Sequence, residues 1–382
     1  MQLRNGYRQG DKLREGISIV NKRKVLSITA IVLVLALVLS ACGGGTVPSD
    51  GEASAPAEPA ATNETGPAYD EMTIIFAHSA PVGDARHAGA LAFEKYVEET
   101  SGGKVQVDIY PGGQLGDTRS IVEATQTGGI HISMMPPSNI AGFNPLLAIA
   151  DVPYLFPGDL DKATQVVKGR AGQALLDTMR DYDLVGLSLW IDLYKAFTAN
   201  KPLLSPDDIK GLKFRVMNSP VLIKMIESWG GTGLTIDYGE TFTALQTGSI
   251  DGQEAGVGAG IYNMKFYEVQ DYMMLSNHIL GMQMVFANEA WFDGLNADTQ
   301  KLILDGVEEG YRVHREERMK TEEMAMKAIE EHGTKIIKLT EEQMQTLADA
   351  AKQPCIDYYV ETNGEKGQAL VDIFEEELAK VK

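Results

Sequence analysis

The nine residues EATQTGGIH, 123–131, return 120 positions later as TALQTGSID, 243–251, with Ala, Gln, Thr, Gly and Ile in matching places. A match this short could be two similar helix ends arising by chance. The surrounding pattern suggests more. Before and within the first copy, MTIIFA (72–77), KVQVDI (104–109) and IHISMM (130–135) read as strands. Between them, ARHAGALAFEKYVEETSGG (85–103) and DTRSIVEATQTG (117–128) read as helices, with Asp117 as N-cap and Gly128 as stop. The second copy repeats this order: LKFRVM (212–217), PVLIKMIESWGG (220–231), GLTI (233–236), GETFTALQTG (239–248) and SIDGQEA (249–255). Strand, helix, strand, helix, strand implies a parallel, doubly wound sheet. Two such units imply two related α/β lobes.

Two lobes can face each other so that the carboxyl ends of both sheets line one cleft, where α/β folds hold ligands. The first would offer His78, Tyr110 and Met135–Ser138, the second Arg215, Tyr238 and Ala255. Arg215 lies where an alternating strand, Leu212, Phe214 and Val216 against Lys213, Arg215 and Met217, runs into a Ser219-Pro220 helix start. A permanent charge at that point is a candidate anion clamp; otherwise it is a solvated strand arginine. Residues 296–333 are helical almost throughout, with Gly306 and Gly310 as interruptions and Met319, Met324 and Met326 read as core packing. A helix of ~36 residues extends ~54 Å, long enough to cross both lobes.

The N-terminus reads as a targeting segment. Seven Lys and Arg precede the apolar run VLSITAIVLVLALVLSA, 25–41, which ends in LSAC, 39–42. Residues 43–70 are small, polar and Gly/Ala/Pro-rich, with no core-forming pattern. The LSAC stretch resembles a bacterial lipobox, in which the peptide is cleaved before the cysteine and Cys42 is diacylated; an uncleaved anchor is the alternative. Cys355 is then the only remaining thiol, so no disulfide can form within the mature chain. It is read as a small apolar core residue.

Formal net charge is −19, and more negative still without the basic leader. Such a surface makes nucleic acid and anionic lipid poor partners. No zincin, Walker, nucleophile-elbow or EF-hand motif occurs, and no nucleophile, base and acid stand in a recognisable set. No cofactor, metal site or catalytic residue is therefore expected. The glycine-rich YPGGQLG, 110–116, lacks the spacing and lysine of a phosphate loop and reads as a turn.

VEETSGGKVQVDIYPGGQLGDTRSIVEATQTGGI (97–130), DVPYLF (151–156), ANKPLLSPDDIKGLKFRVMNSP (199–220) and ALQTGSIDGQE (244–254) all resemble one family. It is the solute-binding component of tripartite ATP-independent periplasmic (TRAP) transporters, and the likeness covers roughly residues 72–345. The resemblance implies a two-lobed periplasmic-binding-protein-like α/β fold with a long lobe-spanning helix. It implies an extracytoplasmic receptor that closes on a small organic anion and delivers it to a sodium-coupled permease, here from a lipid anchor on the cell membrane. The lobes are expected at 71–192 with 281–320 and at 193–280 with 321–382, behind a signal peptide, 1–41, and a linker, 42–70.

In the family the main ligand contact is an arginine in a stretch resembling GLKFRV, which is Arg215. A second family arginine corresponds to Lys195, in WIDLYKAFTAN, which either contacts ligand or lies on the surface. The asparagine often found after DGQE is replaced by Ala255, which removes a donor or frees room. Tyr238 matches a position often packed on the ligand. His78 and Ser138 are further candidates, each equally readable as structural. Alternatives are a binding protein of another transporter class or of a sensor system, or an extracytoplasmic enzyme.

Overall fold

A computed structural model describes residues 67–382. The leader, Cys42 and most of the linker lie outside the described residues. The first repeat forms β1 (Met72–His78), α1 (Ala85–Thr100), β2 (Val105–Tyr110), α2 (Thr118–Gln126) and β3 (Ile132–Met135). After a stretch of short helices comes β4 (Leu184–Ala199). The second repeat follows as β5 (Lys213–Val216), α3 (Pro220–Ser228), β6 (Thr232–Thr235), α4 (Thr241–Gln246) and β7 (Gly252–Gly256). The chain ends with β8 (Tyr272–Leu275), β9 (Leu280–Asn288), α5 (Ala297–His332), β10 (Lys335–Lys338) and α6 (Glu341–Lys380).

The repeat is structural. β1 lies between β2 and β3, parallel to both, and β5 lies between β6 and β7, parallel to both. The shared letters build one helix end twice. Thr127 N–H donates to Glu123 O, Gly128 to Thr125 O, and Gly129 and Ile130 to Ala124 O; Thr247, Gly248, Ser249 and Ile250 repeat each bond. Gly128 and Gly248 take φ of +79° and +69°, a backbone that glycine adopts without strain. Asp117 caps α2 by accepting from Ser120 N–H at 2.8 Å, as its position predicts.

The sheet is not the purely parallel one expected from the repeat. Its order is β2-β1-β3-β9-β4-β7-β5-β6, and the two central strands run antiparallel to their neighbours. Every residue of β9 is buried, and β4 is largely so. These two strands tie the parallel triplets together. β4 pairs with β9 up to Tyr194 and with β7 from Lys195 onward. Its register against β9 slips between Ile191 and Tyr194, an irregularity that bends the strand where it passes from one triplet to the other.

The long helix is present. α5 has 36 residues, is capped by Asn296 on Thr299 N–H, and ends at Gly333 with φ +100°. Gly306 and Gly310 do not interrupt it. A Cβ at Gly310 would come within 2.8 Å of Gly89 O and of the Trp190 ring, so the glycine lets α1 and α5 approach closely. The methionine expectation needs correcting. Met319 and Met324 are 52% and 56% exposed, because the buried row of α5 runs through His314, Arg318, Thr321, Ala325 and Ile329; only Met326 packs on a core. Cys355 is fully buried, and burial pushes its thiol up to about 12, as befits an inert core residue.

Candidate ligand-binding site

The cleft opens at the carboxyl ends of the two parallel triplets. Ser79 follows β1, Pro136–Asn139 follow β3, Arg215 sits in β5, and Ala255 and Gly256 close β7. The crossing strands form its floor, through Asp192 and Lys195 on one side and Ile279–Gln283 on the other. The roof includes Ala259 and Gly260 of a π-helical segment, Val257–Tyr262. π turns widen a helix locally and recur at functional sites. The cleft encloses about 820 Å³, its mouth included.

Among the described residues four cationic side chains face this space, and three are neutralised from within. Arg86 bonds Asp84 through both Nε and Nη2, at 2.8 and 3.1 Å. Arg318, on α5, bonds Asp192 at 2.6 Å and Asp84 at 3.1 Å. Burial works against ionising Asp192, but Arg318 and then His314 outweigh it and hold its carboxyl well below the usual range. Lys195 lies 2.9 Å from Glu254, whose burial is likewise outweighed by Lys195 and then His278. His278 stacks on Phe197 with ring centroids 4.1 Å apart, and burial lowers its pKa.

Arg215 differs. It is 3% exposed, and its Nε donates to Ile236 O at 3.0 Å. Among the described residues no carboxylate is paired with it. Burial lowers its pKa, only partly countered by the more distant Glu254. A buried guanidinium without a counter-ion is expensive to maintain unless something else supplies one.

Lys195 is 7% exposed and belongs to the cleft wall, not the surface. Tyr238 lines the cleft and donates to Ala259 O at 2.8 Å, with Arg86 stacked over its ring at 5.8 Å. Ala255 also lines it, with its Cβ against Gly260. Ser138 lines it too, but its hydroxyl is committed to Asp151 at 2.6 Å. His78 stands apart. It is fully buried behind the cleft, 3.2 Å from the His87 ring, and burial, with Arg86 nearby, pushes its pKa down to about 3. Tyr110 does not line the cleft either.

The sequence reading missed the acidic half of the site: Asp84, Asp151, Asp192 and Glu254, with Gln283 and Arg318. Some signal was there. Asp192 interrupts an apolar strand in LWIDLY, and Glu254 ends the DGQE stretch, so each is a charge at a position meant for burial.

A family profile described as bacterial extracellular solute-binding protein, family 7 (DctP), matches residues 76–362. The C4-dicarboxylate-binding periplasmic protein DctP of Vibrio cholerae is 34% identical over 284 residues, 74% of this chain and 85% of its own. The ectoine-binding periplasmic protein TeaA of Halomonas elongata is 31% identical over 313 residues, 80% of this chain and 90% of its own. Among solved structures, a TRAP periplasmic solute-binding protein of Desulfovibrio salexigens with bound orotic acid superposes with a TM-score of 0.78. Its identity is 31%, covering 81% of this chain and 99% of that one. These relatives are binding proteins, and no described helix is long and apolar enough to cross a membrane. Two repeated α/β lobes, a lobe-spanning helix and a cleft between them thus meet the family pattern over most of the described chain: it belongs to the family 7 extracellular solute-binding proteins, the receptors of TRAP transporters.

Proposed function

We propose that this receptor captures a small organic acid in the cleft, with Arg215 gripping the carboxylate, and hands it to a sodium-coupled permease from a lipid anchor at Cys42. One observation carries the ligand assignment: Arg215 is the cleft cation with no carboxylate partner among the described residues. A planar guanidinium offers a carboxylate two parallel hydrogen bonds, which lysine cannot match. The acids named for relatives agree with this, since C4-dicarboxylates and orotic acid both carry carboxylates. Lys195, Tyr238, Ala255 and Ser138 complete the wall around the ligand, while His78 supports the first lobe from behind. The lobes divide where β4 and β9 cross, 71–192 with 281–320 against 193–280 with 321–382, and no catalytic step is assigned.

The test is calorimetric affinity for a panel of organic acids. Losing a desolvated, charge-assisted pair typically costs about 2–5 kcal/mol, so Arg215→Ala should bind roughly 30-fold or more weakly. Arg215→Lys should also bind poorly, because it keeps the charge and loses the two-point geometry. A folded Arg215→Ala protein that binds within about threefold of the parent would refute the clamp.

A further inference from the structure

Hydrogen bonds join the two sides of the cleft beside the roof segment Val257–Tyr262. Asn263 Nδ2 donates to Asp84 Oδ2 at 2.5 Å, and Arg86 Nη2 donates to Ala259 O at 3.2 Å. Asp84 and Arg86 stand at the start of α1, in the first repeat; Ala259 and Asn263 follow β7, the last strand of the second. At the outer rim Thr118 Oγ1 donates to Asp237 Oδ2 at 3.1 Å, exposed to water.

Each buried group in these bonds also has a partner on its own side. Asp84 accepts from Arg86 N–H and Nε at 2.8 Å, from Arg86 Nη2 at 3.1 Å and from Arg318 at 3.1 Å. Burial works against ionising Asp84, but Arg86 and then Arg318 outweigh it, so the carboxylate is a fixed acceptor. Ala259 O also takes the Tyr238 hydroxyl at 2.8 Å, and Gly258 N–H donates to Glu322 at 2.8 Å, which ties the roof to the second side. Asn263 is half-buried, so its amide can turn to water. Parting the two sides thus leaves Asp84, Arg86 and Ala259 O each with a partner. A contact of that kind opens cheaply, because the heavy cost of a broken bond is a buried group left unpaired.

We propose that Asn263 and Arg86 latch the two lobes closed over the cleft, with Asp84 as the fixed catch. This rests on the lobe division given above and adds what holds the lobes together. Neither Asp84 nor Asn263 lines the cleft, so Asn263 sets affinity without touching the ligand. Its lever is the closed fraction: a ligand that needs the closed form binds more weakly in proportion as that form becomes rarer. Asn263 is therefore a positioning residue for ligand capture.

The experiment measures interlobe distances on the full chain by pulsed electron spin resonance, without added ligand and with orotate. Nitroxide labels go on Glu123→Cys of α2 and Thr243→Cys of α4, exposed and equivalent positions of the repeat, in a Cys42→Ser background. Cys355 is buried and takes no label. A hydrogen bond to a charged group is worth about tenfold or more in an equilibrium, so Asn263→Ala should lower the ratio of short to long distances about tenfold. Asn263→Asp should lower it further, because two carboxylates would then meet at the catch. Circular dichroism checks that each variant is folded. Parent-like distances in Asn263→Asp, both without and with orotate, overturn the latch; so does a variant that fails to fold, since Asn263 would then be a structural staple. Where orotate leaves the parent unchanged, the ligand-free comparison decides. Arg215→Ala should keep the parent's ligand-free distances and lose the closing response to orotate. If orotate closes Arg215→Ala as it closes the parent, the carboxylate clamp falls and the latch stands; if only the Asn263 variants behave like the parent, the latch falls and the clamp stands.

Discussion

Arg215→Met separates a ligand clamp from a structural arginine without any ligand being known. Among the described residues Arg215 makes one hydrogen bond, Nε to Ile236 O at 3.0 Å, and its charge, buried at 3% exposure, has no carboxylate partner. Removing a hydrogen bond to a charged group costs about 1.5–3 kcal/mol. Removing an uncompensated buried charge returns a desolvation penalty of several kcal/mol, and methionine keeps much of the stem's apolar packing. The two terms oppose each other, so ligand-free stability should change by no more than about 1 kcal/mol, or rise. Arg318→Met is the control. It takes the guanidinium 2.6 Å away from Asp192, whose carboxyl lies in the interior, while Asp84 keeps Arg86, and breaking such a buried pair costs about 3–5 kcal/mol. At about 2–4 °C per kcal/mol, thermal unfolding should fall by roughly 6 °C or more for Arg318→Met and by no more than about 4 °C for Arg215→Met. Differential scanning calorimetry without added ligand reads both. Equal losses in the two variants would mean that Arg215 holds the fold together, and the reasoning from its missing counter-ion would be wrong.

Four further outcomes follow from the geometry. Gly310→Ala should destabilise by about 1–3 kcal/mol in urea unfolding, because its Cβ would sit 2.8 Å from both Gly89 O and the Trp190 ring; unchanged stability would mean that α1 and α5 can part cheaply. His78 is held neutral down to about 3, so below its ordinary value near 6.5 the unfolded chain binds a proton that the folded chain refuses. Its contribution is thus complete above about pH 6.5 and is lost at up to about 1.4 kcal/mol per unit as pH falls toward 3; His78→Gln should flatten the stability profile between pH 6 and 4 by about one proton. Lys195→Ala should cost stability as well as affinity, since it leaves Glu254 buried without its cation, and unfolding measured beside calorimetric binding would show both losses. Cys42→Ser should leave the precursor uncleaved or release the protein from the membrane fraction; a variant processed and retained like the parent would end the lipid-anchor reading.

Local chemistry made much of this protein legible from its sequence. Asp117 announced a helix start because a carboxylate can satisfy free N–H groups of the first turn, and Gly128 and Gly248 announced helix ends because they can take positive φ. The same rules, met twice at a spacing of 120, disclosed the duplicated lobes, and the run to Gly333 disclosed the long helix. Each of these signals depends on residues within a turn or two of one another. The central antiparallel strands were not legible, since β4 and β9 are joined by hydrogen bonds between segments about ninety residues apart, and an apolar run looks alike in either direction. The site divides along the same line. The sequence placed Arg215 at the end of a strand, but whether a charge there has a partner depends on which distant carboxylates the fold brings near. Asp84 and Asp192 reach Arg318 across 234 and 126 residues, and Glu254 reaches Lys195 from the neighbouring strand. Only the tertiary structure could decide which cleft cation was left without a carboxylate, because electrostatic pairing follows distance in space and not position in the chain.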